Sequence, residues 1–291
     1  MTMSQSIWRL TMLCDNQVAR PEARAAHGLA ILVEADGRRI LFDTGPDKTA
    51  ALNAAAFGVP LQPLDAVVLS HGHCDHTGGL EAVLRSAGPL PVIAHSSLSA
   101  QACRPEGERG GRYIGPPLAL VDYEAMGARF EWHDAPLTLT RSLMTTGAIS
   151  DGSSGLVGWW RRAGQTPGGG HELALLVLLE GRSVVLTGCA HSGVVKTVQQ
   201  ARQVAEGRVP HVVLGGLHLG PVPETEIRQA AVRLHALGVG TVVPCHCTGQ
   251  RAAAILRESF LGQVLEIGAG SVIEFDREGA LSISSPAHAN A

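Results

Sequence analysis

The sequence predicts an α/β protein of four layers, an αββα sandwich in which two similar halves each supply a sheet and the helices that cover it. Three observations predict it. Short β-branched runs alternate with segments of 3.6-residue apolar period. The first part of the chain is weakly repeated in the second. The later strands of both parts end on histidines.

In chain order, strands are expected at 29–34, 39–42, 66–70, 91–94, 173–179, 183–187, 211–214 and 241–243, each bounded by Gly, Pro or Asp. Helices are expected at 48–57, 79–86, 194–206, 224–237 and 252–259. The repeat ties these elements together. Residues 28–43 resemble residues 172–187 at an offset of 144, each a hairpin turning at an acidic residue followed by glycine, Gly37 or Gly181. Val67–His73 then aligns with Val212–His218, and Pro91–His95 with Val242–His246. Both parts therefore run hairpin, helix, strand, helix, strand. Two such units bury their sheets against each other and carry helices outside. The chain reads as one domain over 1–291, with halves at about 1–99 and 173–291. Residues 100–172 interrupt the pattern with Gly, Pro, Arg, Trp132, Trp159 and Trp160 and a Gly168–Gly170 run, and read as an insertion or lid. Trp159, Trp160, Arg161 and Arg162 suit an anionic or aromatic ligand, but equally suit a surface, so they receive no role.

Composition narrows the function. A formal charge of −3 offers no basic field, so nucleic acid is not expected as a partner and a small-molecule substrate is. No uncharged apolar stretch reaches the roughly 20 residues of a membrane helix, so no membrane association is expected. The first residues do not read as a signal peptide. Cys14, Cys74, Cys103, Cys189, Cys245 and Cys247 lack the spacing of a small secreted scaffold, which points to a reducing, cytoplasmic setting. Cys14 and Cys103 read as ordinary buried or loop thiols.

The chemistry concentrates at His71-Gly-His73-Cys-Asp75-His76, after the strand at 66–70. Three imidazoles and a carboxylate within six residues are ligands for zinc, iron or manganese. Alternating His71 and His73 can hold one ion, while Asp75 and His76 point elsewhere and can hold a second. Two ions about 3.5–4 Å apart can activate a shared water.

The sequence resembles the metallo-β-lactamase-fold superfamily, whose signature is His-x-His-x-Asp-His. The matching stretches are Leu41-Phe-Asp-Thr-Gly45, Leu69-Ser-His-Gly-His-Cys-Asp-His-Thr-Gly-Gly-Leu80, Leu186-Thr-Gly-Cys-Ala-His-Ser-Gly193, Gly215-Gly-Leu-His-Leu219 and Pro244-Cys-His-Cys-Thr-Gly249. More narrowly it looks like the subgroup of metal-dependent hydrolases that carries the dihydropterin-phosphate synthase-type enzymes of methanogens. The resemblance implies the same αββα sandwich. It implies His71 and His73 as ligands of a first metal, and Asp75, His76 and His246 as ligands of a second. Cys189 falls where most of the superfamily has a bridging aspartate, a departure usual within the subgroup. His191, two residues later, is a candidate third ligand of the first site, and His171 competes with it. His218, in the repeat position of His73, is expected to reach the cleft, as a substrate-binding or acidic group or as a merely packed histidine. Asp43 is a candidate to orient a liganding imidazole, with a plain Asp-Thr-Gly turn as the alternative. His95 is read as packing. Cys74, Cys245 and Cys247 are read as neighbours of the ligands, because side chains flanking His246 on an extended segment would point away from it.

These residues imply a metal-dependent hydrolase with about two zinc ions, iron or manganese being possible substitutes, acting on a small ester, phosphoester or lactone. Asp75 would add proton transfer to metal binding. The resemblance offers an alternative, a transferase that forms a C–N bond between a pterin phosphate ester and an arylamine. A non-hydrolytic iron redox or sensor protein is the third reading. Oligomeric state is not encoded legibly.

Overall fold

The computed structural model describes residues 8–99, 114–149, 172–276 and 278–284. The first half runs β1 (Trp8–Cys14), β2 (Ala30–Ala35), β3 (Arg38–Phe42), α1 (Thr49–Ala56), β4 (Ala66–Val68), α2 (Cys74–Thr77), α3 (Leu80–Ala87), β5 (Leu90–Ala94), α4 (Leu120–Ala125) and β6 (Ala128–Trp132). The second runs β7 (Leu143–Thr145), β8 (Leu175–Leu178), β9 (Arg182–Thr187), α5 (Val194–Val204), β10 (Val209–Gly216), α6 (Glu224–Ala236), β11 (Thr241–Cys245), α7 (Gly249–Ser259) and β12 (Gln263–Val264). A closing hairpin, β13 (Val272–Phe275) and β14 (Leu281–Ser284), follows.

The strands form two sheets, ordered β14-β13-β1-β2-β3-β4-β5-β6 and β12-β11-β10-β9-β8-β7. The pairing sense repeats between halves. β1 to β3 pair antiparallel and β3 to β6 parallel, as β7 to β9 pair antiparallel and β9 to β12 parallel. The repeat seen in the sequence is therefore a repeat of topology. Each hairpin turns where a glycine supplies positive φ: Gly37 at φ 75° beside Asp36 at 51°, and Gly181 at 66°. Two consecutive positive φ values make the first a type I′ turn, whose twist suits the flanking strands.

One apolar cluster fills the space between the sheets, with Leu10, Ile31, Phe42 and Val68 facing Leu175, Leu186, Leu214 and Val243. Fully burying each such side chain contributes about 1.5–3 kcal/mol. A second cluster joins the outer face of the first sheet to α1, α3 and Tyr123 of α4, and a third joins the second sheet to α5, α6 and α7. These are the four layers. Within them α6 shows the sequence logic plainly. Glu224 and Glu226 occupy its first turn and Arg233 and His235 its last, complementing the helix dipole, and Gly238 at φ 95° follows its end.

Part of the expected insertion belongs to the sheets instead. Of 100–172, residues 114–149 supply α4, β6 and β7, the two strands that begin or end each sheet's repeat. β6 is an edge strand with Glu131 and Trp132 exposed, and β7 has three residues, so neither shows the alternation that marks a strand. Residues 100–113 and 150–171, with Cys103, Trp159, Trp160, Arg161, Arg162, Gly168–Gly170 and His171, lie outside the described residues. The C-terminal hairpin crosses back to pair β13 with β1 in the first sheet, so the halves also share strands. No helix among the described residues is long and apolar enough to cross a membrane.

Asp36 staples the halves. Its Oδ2 accepts hydrogen bonds from Ser142 N (2.8 Å), Ser142 Oγ (2.6 Å) and Thr140 Oγ1 (2.7 Å), and Trp8 Nε1 donates to Ser142 Oγ at 2.7 Å. Burial would raise this carboxyl, but the donors of Ser142, Thr140 and Arg141 outweigh it and hold the group below its ordinary range. A depressed folded value means the stabilisation is complete above the unfolded value near 3.9 and is lost as pH falls through the folded one. Asp36→Ala is expected to cost about 1–3 kcal/mol near neutrality. The gap between variant and wild-type thermal midpoints should narrow in acid, and a gap that widens there would contradict the account.

Candidate metal centre

The parallel strands of both sheets run out at one end of the sandwich, the place where parallel sheets present their loops for chemistry. Register brings the second-sheet strands out together, Thr187 beside Gly215 and Gly216 beside Cys245. Asp43, Ser70 and His71 follow β3 and β4, and Gly188, Cys189 and His191 follow β9. Leu217 and His218 follow β10, and His246 follows β11. Backbone strain concentrates here. Asp43, Ala190, His218 and His246 take left-handed φ of 58°, 54°, 50° and 49°, a conformation costly for residues with a Cβ and common at functional sites.

Glycine lets the two sheets' ends meet. A Cβ on Gly188 would lie 2.0 Å from Ser70 Oγ and 3.0 Å from Asp43 Oδ2. Thr-Gly-Cys at 187–189 thus reads physically as a strand end that must pass against the other half.

Asp43 organises the first-half histidines from beneath. Fully buried, it accepts from Ser70 N (2.7 Å) and Ser70 Oγ (2.7 Å), and its Oδ2 is 2.7 Å from His76 Nδ1. Ser70 Oγ lies 2.8 Å from His71 Nδ1. One carboxylate therefore fixes His76 directly and His71 through a hydroxyl, leaving both Nε2 atoms facing the cleft. Asp43 is no plain turn residue.

The cleft edges gather the expected groups. His71 Nε2 is 3.1 Å from His73 Nδ1, and the ligating atoms of His71, His73 and His191 lie within 4.8 Å of one another. His76 Nε2 is 3.2 Å from Cys189 Sγ, and His71, His76 and Cys189 form a second triad. Cys189 also groups with His191 and His218, and with His246 and Cys247. Asp75 Oδ2 is 3.3 Å from His246 Nε2 and 3.7 Å from His76 Nε2. Among the described residues His71, His73, Asp75, His76, Cys189, His191 and His246 thus converge, and His218 joins them, its ring centroid 4.9 Å from that of His191. His95 stands apart, with Nδ1 2.7 Å from Ser97 Oγ and Nε2 3.3 Å from Asp134. Between β4 and α3 the motif itself forms a helical turn, α2, with His73 at its N-cap.

Several groups escaped the sequence reading. His27, exposed at the rim, lies 3.7 Å from Asp75 Oδ2 and joins Asp75 and His246 in a triad. Asn16 Oδ1 is 3.0 Å from His246 Nδ1 and buried Asp15 accepts from His246 N at 2.8 Å. Buried Glu172 accepts from His191 N (2.8 Å) and Ser192 N (2.6 Å), fixing the loop that carries His191. Cys247 is a correction as well. Residues 246–248 form a 3-10 turn and not an extended segment, so alternation does not apply. Cys247 comes to the cleft while Cys245 packs between the sheets.

The electrostatics match the crowding. Burial would raise Asp75, but the positive charges of His76 and His246 hold it well below the carboxylate range. Burial opposes charge on His76, yet Asp43 and Asp75 lift it to about 9. Burial pushes the Cys189 thiol up. It opposes ionisation of Cys247 too, but a hydrogen bond from Cys189 and the proximity of His218 and His246 bring Cys247 down. A cation suits this donor set. Buried His246 Nε2 has the Asp75 carboxylate nearby but off the line of a hydrogen bond, and imidazole, thiolate and carboxylate are transition-metal ligands.

Comparison with known proteins agrees with this architecture. Residues 23–246 match the metallo-beta-lactamase superfamily. The chain is 28% identical over 266 residues to 7,8-dihydropterin-6-methyl-4-(beta-D-ribofuranosyl)-aminobenzene-5'-phosphate synthase of Methanocaldococcus jannaschii, covering 86% of this chain and 90% of that protein. An uncharacterized protein of the same organism is 26% identical, with 86% and 94% covered. Among solved structures, Tm1679, a metal-dependent hydrolase of the beta-lactamase superfamily, superposes with a TM-score of 0.75 at 27% identity, over 92% of this chain and 99% of that one. The strand ends and histidine-lined cleft of this chain agree with the match over residues 23–246: the chain belongs to the metallo-beta-lactamase superfamily.

Proposed function

We propose that the chain is a metal-dependent hydrolase of small esters, phosphoesters or lactones. The observation that carries this reading is the triad His71, His73 and His191, whose ligating atoms lie within 4.8 Å of one another. Three imidazoles that leave a fourth position for water are the pattern of a catalytic zinc, whereas closed four-ligand sets are structural. Ions in this cleft would supply Lewis acidity, lowering the pKa of a water and steadying negative charge on the substrate. His76, Asp75, Cys189 and His246 are the residues placed to hold a second ion, with zinc favoured in the cleft and iron, or manganese at the imidazole triad, as substitutes. Asp43 and Glu172 keep the imidazoles aimed. Asp75 stands where its carboxylate can pass a proton between His246 or His27 and a substrate oxygen, and half-buried His218 stands beside His191 as a substrate-side group.

A second reading has its own support. The likeness, over 86% of this chain and 90% of that protein, is to a synthase whose name carries a dihydropterin-6-methyl and an aminobenzene group, and it supports a reading in which this chain forms a C–N bond with departure of a pyrophosphate. The two separate on products. Metal-loaded protein should turn over phosphodiester or lactone substrates without amine. Pyrophosphate released from a pterin diphosphate ester only when an arylamine is added, with no hydrolysis of the panel, would replace the hydrolase reading by the transferase one. A chromophoric iron protein without turnover of either kind would point to the redox alternative.

A further inference from the structure

We propose that Cys247 is itself a metal ligand, and that Cys247, Cys189 and His246 form a sulfur-rich site for a soft divalent cation, zinc or iron(II). This rests on reading the cleft as a metal centre, and it makes the two parts of that centre chemically unlike.

The two Sγ atoms and a His246 ring nitrogen lie within 4.8 Å of one another. They come from loops after two different strands, β9 and β11, so chain continuity does not force the approach. Room is made for it. A Cβ on Gly216 would lie 2.7 Å from Cys247 Sγ and 3.2 Å from His246 Cδ2. The left-handed backbone of His246, at φ 49°, starts the turn that brings ring and thiol to one side. A residue of ordinary backbone preference there would send Cys247 elsewhere. Asp15 holds His246 N and Asn16 faces its Nδ1, so the ring is fixed with Nε2 toward the cleft.

The consequence is a division of labour. Two thiolates cancel the charge of a divalent ion, and their protons pass to solvent as it binds. Such an ion ties β9 to β11 but is a weak Lewis acid. Three neutral imidazoles at His71, His73 and His191 leave the full charge, so the acid chemistry belongs to that side. Sulfur also selects zinc or iron over magnesium and manganese.

Cobalt(II) substitution of the full chain tests this, since thiolate-to-cobalt charge-transfer absorption counts sulfur ligands independently of activity. Wild type is expected to show the band, Cys247→Ser and Cys189→Ser each to lose about half of it, and the double variant all of it. A Cys247→Ser protein that keeps the full band overturns the proposal. Wild type that binds cobalt with no thiolate band overturns it alone, and wild type that binds no cobalt overturns the metal reading with it. Should the variants misfold, alkylation of wild type followed by peptide mass mapping gives the same answer. Relative to the metal-free protein, zinc should slow labelling of Cys247 while half-buried Cys74 reacts alike in both states, and equal labelling of Cys247 with and without zinc contradicts the assignment.

Discussion

Replacing His73 with alanine is expected to lower turnover by at least about 100-fold, the upper range found even for groups that only support a metal ligand, while the fold survives. The ring sits at the cleft mouth, 3.1 Å from His71 Nε2 and with its centroid 4.8 Å from that of His191. Its structural duties are carried by the main chain instead. The His73 carbonyl accepts from His76 N and Thr77 N at 3.0 Å each, starting α2, and alanine retains that carbonyl. Circular dichroism and thermal midpoint should therefore stay near wild type while metal content and hydrolysis fall together. A folded, metal-depleted His73→Ala protein with wild-type turnover would rule the mechanism out.

Asp43→Ala is expected to be the most damaging change beneath the cleft. It removes the acceptor of Ser70 N and Ser70 Oγ and the partner of His76 Nδ1, all buried. Each orphaned buried donor costs about 1–3 kcal/mol, and loss of ligand orientation costs about 10–100-fold in metal affinity. Asp43→Asn separates the two effects. Asparagine tolerates the φ of 58° that alanine does not, and it keeps one acceptor oxygen where three donors converge. Its thermal midpoint should recover most of the loss while metal affinity stays depressed. Equal recovery of both would show that Asp43 serves folding and not the site.

What was legible in the sequence was local pattern and its repetition along the chain. Gly37 and Gly181 mark the hairpins because a positive φ demands them, and His71 to His76 declares itself because four ligand-type side chains follow a buried strand. Asp43 was readable only as an alternative, since its partners Ser70 and His76 are remote in sequence. β1 gave no alternation because six of its seven residues are buried, on both faces. Glu172, Asp15 and Asn16 bear no motif. Their value lies in contacts to residues 19 to 231 positions away, which folding alone creates. Cys247 was misplaced for a definite reason. Alternation presumes an extended chain, and the strand ends at Cys245 and turns.

On the proposed reading, one metal cleft is built by both halves of a duplicated chain. Metal content per protomer, measured for wild type, His73→Ala and His246→Ala after equilibration with zinc, tests it most directly. About two ions are expected in wild type and one fewer in each variant, because His73 belongs to the site with His71 and His191 and His246 to the site with Cys189. Full wild-type content in the His246→Ala protein would contradict it.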